Sequence, residues 1–135
     1  MSVSLLIVAH APLGQSLLEV TRGTLGELPI RHALLDVVRD TEPAQNRQLA
    51  RELVQQLDEG DGVLVLTDIY GSTPGNIACA LQDLERVRIV AGVNLPMMIR
   101  VMNYASLELD ALTNKALSGG HDGVLMVDPE QCGID

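Results

Sequence analysis

The chain has 135 residues, which is enough for one domain with a single hydrophobic core. Hydrophobic residues make up 47% of it, which excludes a disordered chain, and two tyrosines are its only aromatic residues. Nine basic residues against 18 acidic ones give a net charge of −9, so the sequence lacks the basic footprint that nucleic-acid binding requires.

Short apolar runs and amphipathic stretches alternate in the first half of the chain. Val3–Ala9 is nearly all apolar, which is typical of a strand buried on both faces of a parallel sheet. Pro12 is expected to begin a helix that runs to about residue 26, and a second strand is predicted over Ala33–Val38. Thr41 can cap a second helix, whose apolar stripe is predicted to consist of Leu49, Leu53 and Leu57.

The second half of the chain continues this alternation. Thr73 and Pro74 form a favourable helix start, because threonine caps helices and proline suits the first helical position. Gly119 and Gly120 are expected to end the last helix. The other elements are predicted, in order, as a strand at Val63–Leu66, a strand at Val87–Ala91, helices at Leu95–Tyr104 and Leu107–Leu117, and a last strand at Val124–Val127.

This order of elements predicts an α/β fold, with a doubly wound, mostly parallel sheet of about five strands and helices on both faces. We expect a single domain over residues 1–135, with a short C-terminal tail from about residue 129. The N-terminal apolar run is too short for a signal peptide, and no run approaches the ~20 residues of a membrane span. The sequence therefore predicts a cytoplasmic protein that is not inserted in a membrane.

Several kinds of site are disfavoured by the absence of their sequence patterns. Cys79 and Cys132 have no metal-ligand spacing and are expected to be free thiols. Lys115, the only lysine, does not follow a glycine-rich loop, so there is no Walker A motif, and no dinucleotide-binding glycine motif follows a strand. We therefore expect no metal and no cofactor.

Reactive side chains cluster where the predicted strands end. In open α/β sheets, ligands bind outside the carboxyl ends of the strands, near the point where the strand order switches. His10 ends the first strand and Asp68 follows the third, so the carboxylate can orient one ring nitrogen and leave the other free to attack. Each residue also has an ordinary alternative, because such a histidine can be packed structurally and such an aspartate can bind turn amides.

The segment after the third strand offers an anion-binding loop. Gly71, Ser72 and Thr73 combine a flexible turn, two hydroxyl groups and the first amides of a helix, and such amides bind phosphate-sized anions. The motif is weak by itself, because Ser/Thr-Pro begins many ordinary helices. The other two histidines, His32 and His121, are expected to be structural or solvated.

Three blocks of the sequence, Ile7–His10, Thr67–Asn76 and Ala91–Met97, match one pattern together. They resemble three segments of the mannose-family IIA domain of the bacterial phosphoenolpyruvate:sugar phosphotransferase system. These segments are the strand that ends in the phosphorylated histidine, the loop with aspartate, an aromatic residue, glycine and Ser/Thr-Pro, and the Gly-Val-Asn-hydrophobic-Pro-Met segment. Order and spacing agree, and the similarity covers about residues 3 to 128.

The resemblance implies a phosphocarrier. His10 would take a phosphoryl group from phosphorylated HPr and pass it to a IIB component of a mannose-type sugar permease, with Asp68 orienting the ring. Thr73 and nearby loop amides would contact the phosphoryl oxygens, and no metal would be needed because the helix start and the hydroxyls neutralise the charge. The site would also be lined by three loop residues: Tyr70, Asn94 and Pro96.

The resemblance also implies a homodimer. Members of the family exchange the last strand between subunits at the sheet edge, where it would run antiparallel. In this chain Gly123–Val127 would be that strand. The chain departs from the family at Ala11, where glycine is usual and where the side chain would narrow a partner's approach, and at Tyr70, where tryptophan is common. We expect no IIB domain fused to this chain.

Two other functions stay open at this point. The chain could be a stand-alone regulatory IIA protein in which the phosphorylation state of His10 controls a partner without sugar transport. It could also be a flavodoxin-like cofactor binder that uses the same sheet edge, although the scarcity of aromatic residues to stack a flavin argues against this. The phosphocarrier is the preferred hypothesis, because it explains the nucleophile, the carboxylate and the anion-binding loop together.

Overall fold

The protein folds as a parallel sheet between two layers of helices. The structure, a computed structural model, describes residues 2–132. No helix in that range is both long enough and apolar enough to cross a bilayer. The elements are β1 (Ser4–His10), α1 (Leu13–Leu25), β2 (His32–Val37), α2 (Pro43–Leu57), β3 (Val63–Thr67), α3 (Thr73–Cys79), β4 (Val87–Ala91), α4 (Leu95–Asn103), α5 (Leu109–Asp122) and a short 3₁₀ helix (Pro129–Gln131).

The strands of residues 2–132 form one four-stranded sheet in the order β2-β1-β3-β4, and every pair is parallel. β1 and β3 are therefore the inner strands, and the strand order switches direction between them. The register pairs Val8 with Thr67 and His10 with Val37. The carboxyl ends of β1, β2 and β3 consequently meet at one edge, where a doubly wound sheet binds its ligands.

Alternate residues of β1 face two separate hydrophobic cores. Leu5 and Ile7 pack on the side of α1, α4 and α5, whereas Leu6 and Val8 pack on the side of α2 and α3. All four are fully buried, as expected for an inner strand of a parallel sheet. Burial of each such side chain stabilises the fold by about 1.5–3 kcal/mol, so β1 holds its last residue, His10, firmly at the sheet edge.

The start of α2 differs from the prediction. The helix begins at Pro43, Glu42 is the residue at its N-cap, and the side chain of Thr41 does not cap it. The hydroxyl of Thr41 instead donates to the carbonyl of Val38. Threonine therefore closes the turn after β2 and is not available to the helix amides.

The buried face of α2 also differs from the predicted leucine stripe. Leu49 is 41% exposed and Leu53 is only partly buried. Small and medium side chains let the helix lie close to the sheet, and this packing decides which face turns inward. The buried residues of the helix are Asn46, Ala50, Val54 and Leu57.

The helix α5 continues through Gly119 and Gly120 to Asp122, so the prediction that these glycines end it is wrong. A Cβ atom on Gly119 would lie 2.7 Å from Cβ of Arg100, and one on Gly120 would lie 2.7 Å from Cε of Met97. The two glycines thus allow close packing of α5 against α4. This tertiary packing outweighs the low helix propensity of glycine, about 1 kcal/mol per residue.

The last predicted strand, Val124–Val127, is not formed in this structure. The segment follows α5 without regular secondary structure, and its four side chains are 58–95% exposed. Among the described residues it makes no backbone hydrogen bond to the sheet. A strand requires a sheet edge to pair with, so the apolar pattern alone does not produce the predicted fifth, antiparallel strand within a single chain.

Candidate functional site

His10 and Asp68 meet at the carboxyl edge of the sheet. Asp68 directly follows β3, and the register that pairs Val8 with Thr67 places it beside the end of β1. Nδ1 of His10 lies 2.7 Å from Oδ2 of Asp68, which also accepts the backbone N–H of His10 at 2.9 Å. Oδ1 of Asp68 accepts the backbone N–H of Ile69 at 2.8 Å. Three hydrogen bonds therefore fix the carboxylate and, through it, the imidazole ring.

This contact determines the tautomer of His10. An ionised carboxylate only accepts hydrogen bonds, so Nδ1 carries the ring proton and Nε2 keeps its lone pair. The side chain of His10 is 50% exposed, whereas that of Asp68 is 5% exposed. A buried carboxylate thus holds a half-exposed ring, and Nε2 is the candidate nucleophile.

The electrostatics of Asp68 favour its ionised form. Burial raises the pKa of this carboxyl, but the hydrogen bonds from the backbone and ring of His10 and from the N–H of Ile69 outweigh burial. The pKa of Asp68 therefore lies below its ordinary value. The carboxylate can accordingly stabilise a positive charge that develops on the imidazole when Nε2 forms a bond.

The loop after Asp68 is held by its own hydrogen bonds. Oγ of Ser72 caps α3 by accepting the N–H of Gly75 at 3.2 Å, and it donates to the carbonyl of Ile69 at 2.7 Å. Gly71 has a φ of +86°, in the left-handed region that favours glycine. A Cβ atom on Gly75 would lie 2.4 Å from the carbonyl oxygen of Ile69, so glycine lets the helix begin next to the carboxylate.

A cleft of about 550 Å³ opens beside His10. The start of α3 contributes Thr73 and Pro74 to it, so the structure brings the predicted residue Thr73 to the same cleft as the histidine. The last residue of β2, the turn after it and the first residue of α2 also line the cleft. Their residues are Val37, Val38, Arg39, Asp40, Thr41 and Pro43.

The other predicted lining residues have different surroundings. Tyr70 is 80% exposed and lines a separate cleft of about 350 Å³ along β4. Asn94 caps α4 and donates from its side chain to a carbonyl of α5 at 3.1 Å. Pro96 contacts the end of α5, since a Cβ atom on Gly123 would lie 2.3 Å from Cβ of Pro96. Asn94 and Pro96 therefore hold α4 against α5.

The residues around the end of β2 are not among the predicted site residues, although two of them shape this edge. Arg39 lines the cleft beside the histidine. Asp36 accepts the backbone N–H groups of Gly14 and Gln15, at 3.0 and 3.1 Å, and so caps α1. Ligands bind at the carboxyl ends of parallel strands, and this rule applies to β2 as well as to β1 and β3. It could therefore have identified the residues at the end of β2 from the sequence.

The remaining candidate groups are dispersed over the molecule. Nδ1 of His32 lies 2.9 Å from the carbonyl oxygen of Ile30, at the opposite sheet edge, and the side chain of His121 is 91% exposed in the last turn of α5. Cys79 and Cys132 are free thiols. Within residues 2–132, no group of three or more histidine, cysteine or acidic side chains is arranged to hold a metal ion.

Residues 4–117 match the mannose-type EIIA family, described as "PTS system fructose IIA component". The chain belongs to this family. The mannose-specific EIIAB component of Escherichia coli (strain K12) is 29% identical over 131 residues, covering 92% of this chain and 39% of that protein. The transcriptional regulatory protein LevR of Bacillus subtilis (strain 168) is 29% identical over 119 residues, covering 82% of this chain and 12% of LevR. The chain thus spans only part of the length of these curated relatives.

Solved structures agree with this membership. The mannose/sorbose-specific IIA subunit of the phosphotransferase system from Enterococcus faecalis has a TM-score of 0.84 and 25% identity, and the match covers 95% of this chain and 96% of that chain. The EIIA component from Streptococcus agalactiae has a TM-score of 0.80 at 22% identity, which supports the fold alone. The four-stranded parallel sheet flanked by helices is therefore a fold that this chain shares with mannose-type IIA proteins.

Proposed function

We propose that this IIA protein is a cytoplasmic phosphocarrier that accepts a phosphoryl group on Nε2 of His10. The proposed donor is phosphorylated HPr, and the proposed acceptor is a IIB component of a mannose-type sugar permease. The observation that supports the proposal most directly is the 2.7 Å contact between Nδ1 of His10 and Oδ2 of Asp68, on a ring that is half exposed.

The proposed transfer exchanges one N–P bond for another. The lone pair on Nε2 of His10 attacks the phosphorus of the donor's phosphohistidine, and the electron pair of the breaking N–P bond returns to the donor's ring nitrogen. The proton on Nδ1 stays in its hydrogen bond to Asp68, so the new phosphohistidine ring is positively charged beside a carboxylate. The same step with a nucleophile of the acceptor passes the phosphoryl group on.

Asp68 is expected to contribute orientation and charge stabilisation. It fixes the ring with Nε2 free for in-line attack, and its negative charge offsets the positive charge of the phosphorylated imidazole. Both effects require a carboxylate that is ionised and sheltered from water, which agrees with the lowered pKa of Asp68 and its 5% exposure. A preorganised electrostatic contact of this kind accelerates reactions roughly 10²–10³-fold.

The loop formed by Gly71, Ser72 and Thr73 is proposed to hold the phosphoryl oxygens. Thr73 lines the same cleft as His10. The hydroxyl of Ser72 caps α3 and its backbone N–H donates to the carbonyl of Ile69, so we assign the binding to the N–H groups of Gly71 and Thr73 and to the hydroxyl of Thr73. Backbone N–H groups at the start of a helix suit phosphate oxygens.

Exposed apolar side chains at the carboxyl edge of the sheet support a protein as donor and acceptor. They lie on the segments that follow β1, β2 and β3, at the edge where His10 ends its strand. Exposed apolar side chains at the same edge as a reactive group suit a protein–protein contact. Asn94 and Pro96, which follow β4, are proposed to form the rim of this surface. The exposed residues are Leu13 (40%), Val38 (61%), Ile69 (59%) and Tyr70 (80%).

We propose further that the protein is a homodimer in which residues 123–127 pair, antiparallel, with a sheet edge of the second copy. Val124–Val127 exposes four apolar side chains, and β4 is an edge strand of the sheet in the single chain. An unpaired strand edge and an exposed apolar segment both favour association. Exchange of the segment between two copies would cover both surfaces.

A regulatory role is the second candidate function. LevR, a transcriptional regulatory protein, aligns with 82% of this chain, so a segment similar to this one occurs in a regulator. In this alternative His10 is phosphorylated in the same way, but its phosphorylation state controls a binding partner and no IIB component receives the group.

Phosphorylation of His10 can be tested with purified components. Incubation with phosphoenolpyruvate, Enzyme I and HPr should give the protein an acid-labile, base-stable phosphate. The variant His10→Ala should lose it. The matched control His121→Ala removes a histidine that is 91% exposed and should be phosphorylated normally. Phosphate that persists in His10→Ala would disprove the assignment.

Transfer to a second protein distinguishes the two candidate functions. The phosphorylated protein, separated from HPr, is mixed with IIB components of mannose-type permeases. Movement of the phosphate to IIB supports the phosphocarrier. Retention of the phosphate with every IIB component supports the regulatory role.

A further inference from the structure

A phosphoryl group on His10 would add negative charge next to an existing carboxylate. Asp68 is 5% exposed with a lowered pKa, and the chain has a net charge of −9. The loop donors beside it are neutral, and the hydroxyl of Ser72 is engaged with Ile69 and Gly75. A cation at the cleft would therefore stabilise the phosphorylated form more strongly than any of these neutral donors.

Arg39 places a basic residue at this cleft. It is the basic residue among those that line the cleft beside His10, and its side chain is exposed. Within residues 2–132 it has no ion-pair partner, and Asp40, which lines the same cleft, makes no ion pair with it. Five of the nine basic residues, in contrast, pair with carboxylates: Arg31, Arg51, Arg86, Arg88 and Arg100.

The turn around Arg39 is closed by hydrogen bonds. Both the hydroxyl and the backbone N–H of Thr41 donate to the carbonyl of Val38. Asp40 adopts a φ of +69°, a left-handed conformation that is uncommon outside glycine and fits a tight turn. The N–H of Ala11 donates to the carbonyl of the last residue of β2 at 3.1 Å, which joins the turn to the end of β1. These hydrogen bonds thus hold the backbone of residue 39 at the cleft.

We propose that the guanidinium of Arg39 binds the phosphoryl group on His10 and favours the phosphorylated form of the protein. The inference rests on the proposed phosphorylation of His10. A guanidinium suits this task because its planar, fixed N–H donors match the geometry of phosphate oxygens. Loss of one charge-assisted contact at an exposed site is expected to change the phosphorylation equilibrium roughly tenfold.

The first test compares two arginines that differ only in position. Arg47 is exposed on α2, has no ion-pair partner within residues 2–132 and does not line the cleft. The equilibrium of phosphoryl exchange with HPr is measured for Arg39→Gln and for the control Arg47→Gln, each of which removes one positive charge. Arg39→Gln should disfavour phosphorylation roughly tenfold, Arg47→Gln by less than about twofold, and Arg39→Lys should restore part of the loss. Equal effects of the two glutamine variants would overturn the proposal.

The second test does not depend on HPr. The protein is phosphorylated chemically with phosphoramidate. The phosphorus NMR signal of phosphorylated His10 is identified by its absence in His10→Ala, and its chemical shift is then followed as the pH is lowered. A guanidinium beside the phosphoryl group lowers the pKa of that group. In Arg39→Gln the phosphoryl group should therefore bind its proton roughly tenfold more tightly than in wild type, whereas in Arg47→Gln it should titrate as in wild type. An unchanged titration in Arg39→Gln would overturn the role of Arg39. Failure of HPr to phosphorylate the wild type, with the titration as expected, would count against the proposed function alone.

Discussion

The candidate site at the sheet edge and the segment that leaves α5 are both exposed, but different contacts hold them. Asp68 accepts three hydrogen bonds and fixes His10, so the chain builds this pair from its own groups. Val124–Val127 has side chains that are 58–95% exposed and, among the described residues, no backbone bond to the sheet. The His10–Asp68 pair is therefore formed within one chain, whereas the proposed homodimer contact would use a separate surface. Variants in one region should therefore leave the other unchanged.

The largest effect is expected for Asp68→Asn, which keeps the shape of the side chain but removes its charge. The amide no longer favours the tautomer with the proton on Nδ1, and it no longer stabilises the charged ring. The initial rate of phosphorylation by phosphorylated HPr should fall by at least about 100-fold. The mass in sedimentation equilibrium should not change.

Asp36→Asn is the matched control for this variant. Asp36 is a carboxylate at the same sheet edge, but it accepts the N–H groups of Gly14 and Gln15 and caps α1. Its replacement should lower the free energy of unfolding by about 0.5–2 kcal/mol and leave the rate per folded molecule within about twofold. An equal loss of phosphorylation rate in both variants would contradict a specific role of Asp68 and would indicate that both carboxylates only stabilise the structure.

The next effect concerns the place where the terminal segment leaves α5. In Gly123→Ala the new methyl group would lie 2.3 Å from Cβ of Pro96, so α4 and α5 must separate. Urea denaturation should show a loss of about 1–3 kcal/mol in unfolding free energy. Gly23→Ala is the control, because nothing lies within 4 Å of that position in α1, and it should stabilise the protein by about 0.5–1 kcal/mol.

A smaller effect is expected for Met126→Asp in the terminal segment. Met126 is 95% exposed in the single chain, so the substitution should not change stability within one subunit. In the proposed homodimer the aspartate would enter an apolar contact, and the dissociation constant from analytical ultracentrifugation should rise about tenfold. Phosphorylation of His10 should proceed at the wild-type rate. A monomeric wild-type protein would contradict the proposed exchange.

The smallest effect is the dependence of stability on acid. The folded pKa of Asp68 lies below its ordinary value of 3.8, so its ionised form stabilises the fold above that value, and this contribution is lost as the pH falls through the folded pKa. Asp58 behaves in the same direction, because hydrogen bonds from Gly60, Gly62 and Arg86 outweigh its burial. The difference in unfolding free energy between wild type and Asp68→Asn should therefore be larger at pH 7 than at pH 3. A difference that is independent of pH would contradict the assigned ionisation.

The sheet and the central pair could be predicted from the sequence because they follow from local patterns and one topological rule. Apolar runs such as Val63–Leu66 define buried strands, and parallel strands of a doubly wound sheet bring their carboxyl ends together. That rule is sufficient to place His10 near Asp68, although the two residues are far apart along the chain. It does not give the 2.7 Å contact or identify Nδ1 as the bonded nitrogen, since both depend on the register between β1 and β3.

The errors concern features that only tertiary contacts decide. Gly119 and Gly120 are poor helix formers by propensity, but the close approach of α4 makes them necessary inside α5. Val124–Val127 has the apolar pattern of a strand, but nothing in a sequence pattern supplies the neighbouring edge. The position of Arg39 depends on the turn that Thr41 closes, a hydrogen bond that competes with helix capping.

The 58-residue separation of His10 and Asp68 along the chain bears on how the protein is made. During synthesis, His10 leaves the ribosome with the first strand, before Asp68 has been translated. In a nascent chain that ends before β3, the His10 ring therefore has no carboxylate to fix its tautomer. The ring is held in one orientation only after β3 pairs with β1. In the proposed function, phosphoryl transfer thus depends on a long-range strand pair, a slow class of folding event, and unfinished chains are expected not to compete for the phosphoryl donor.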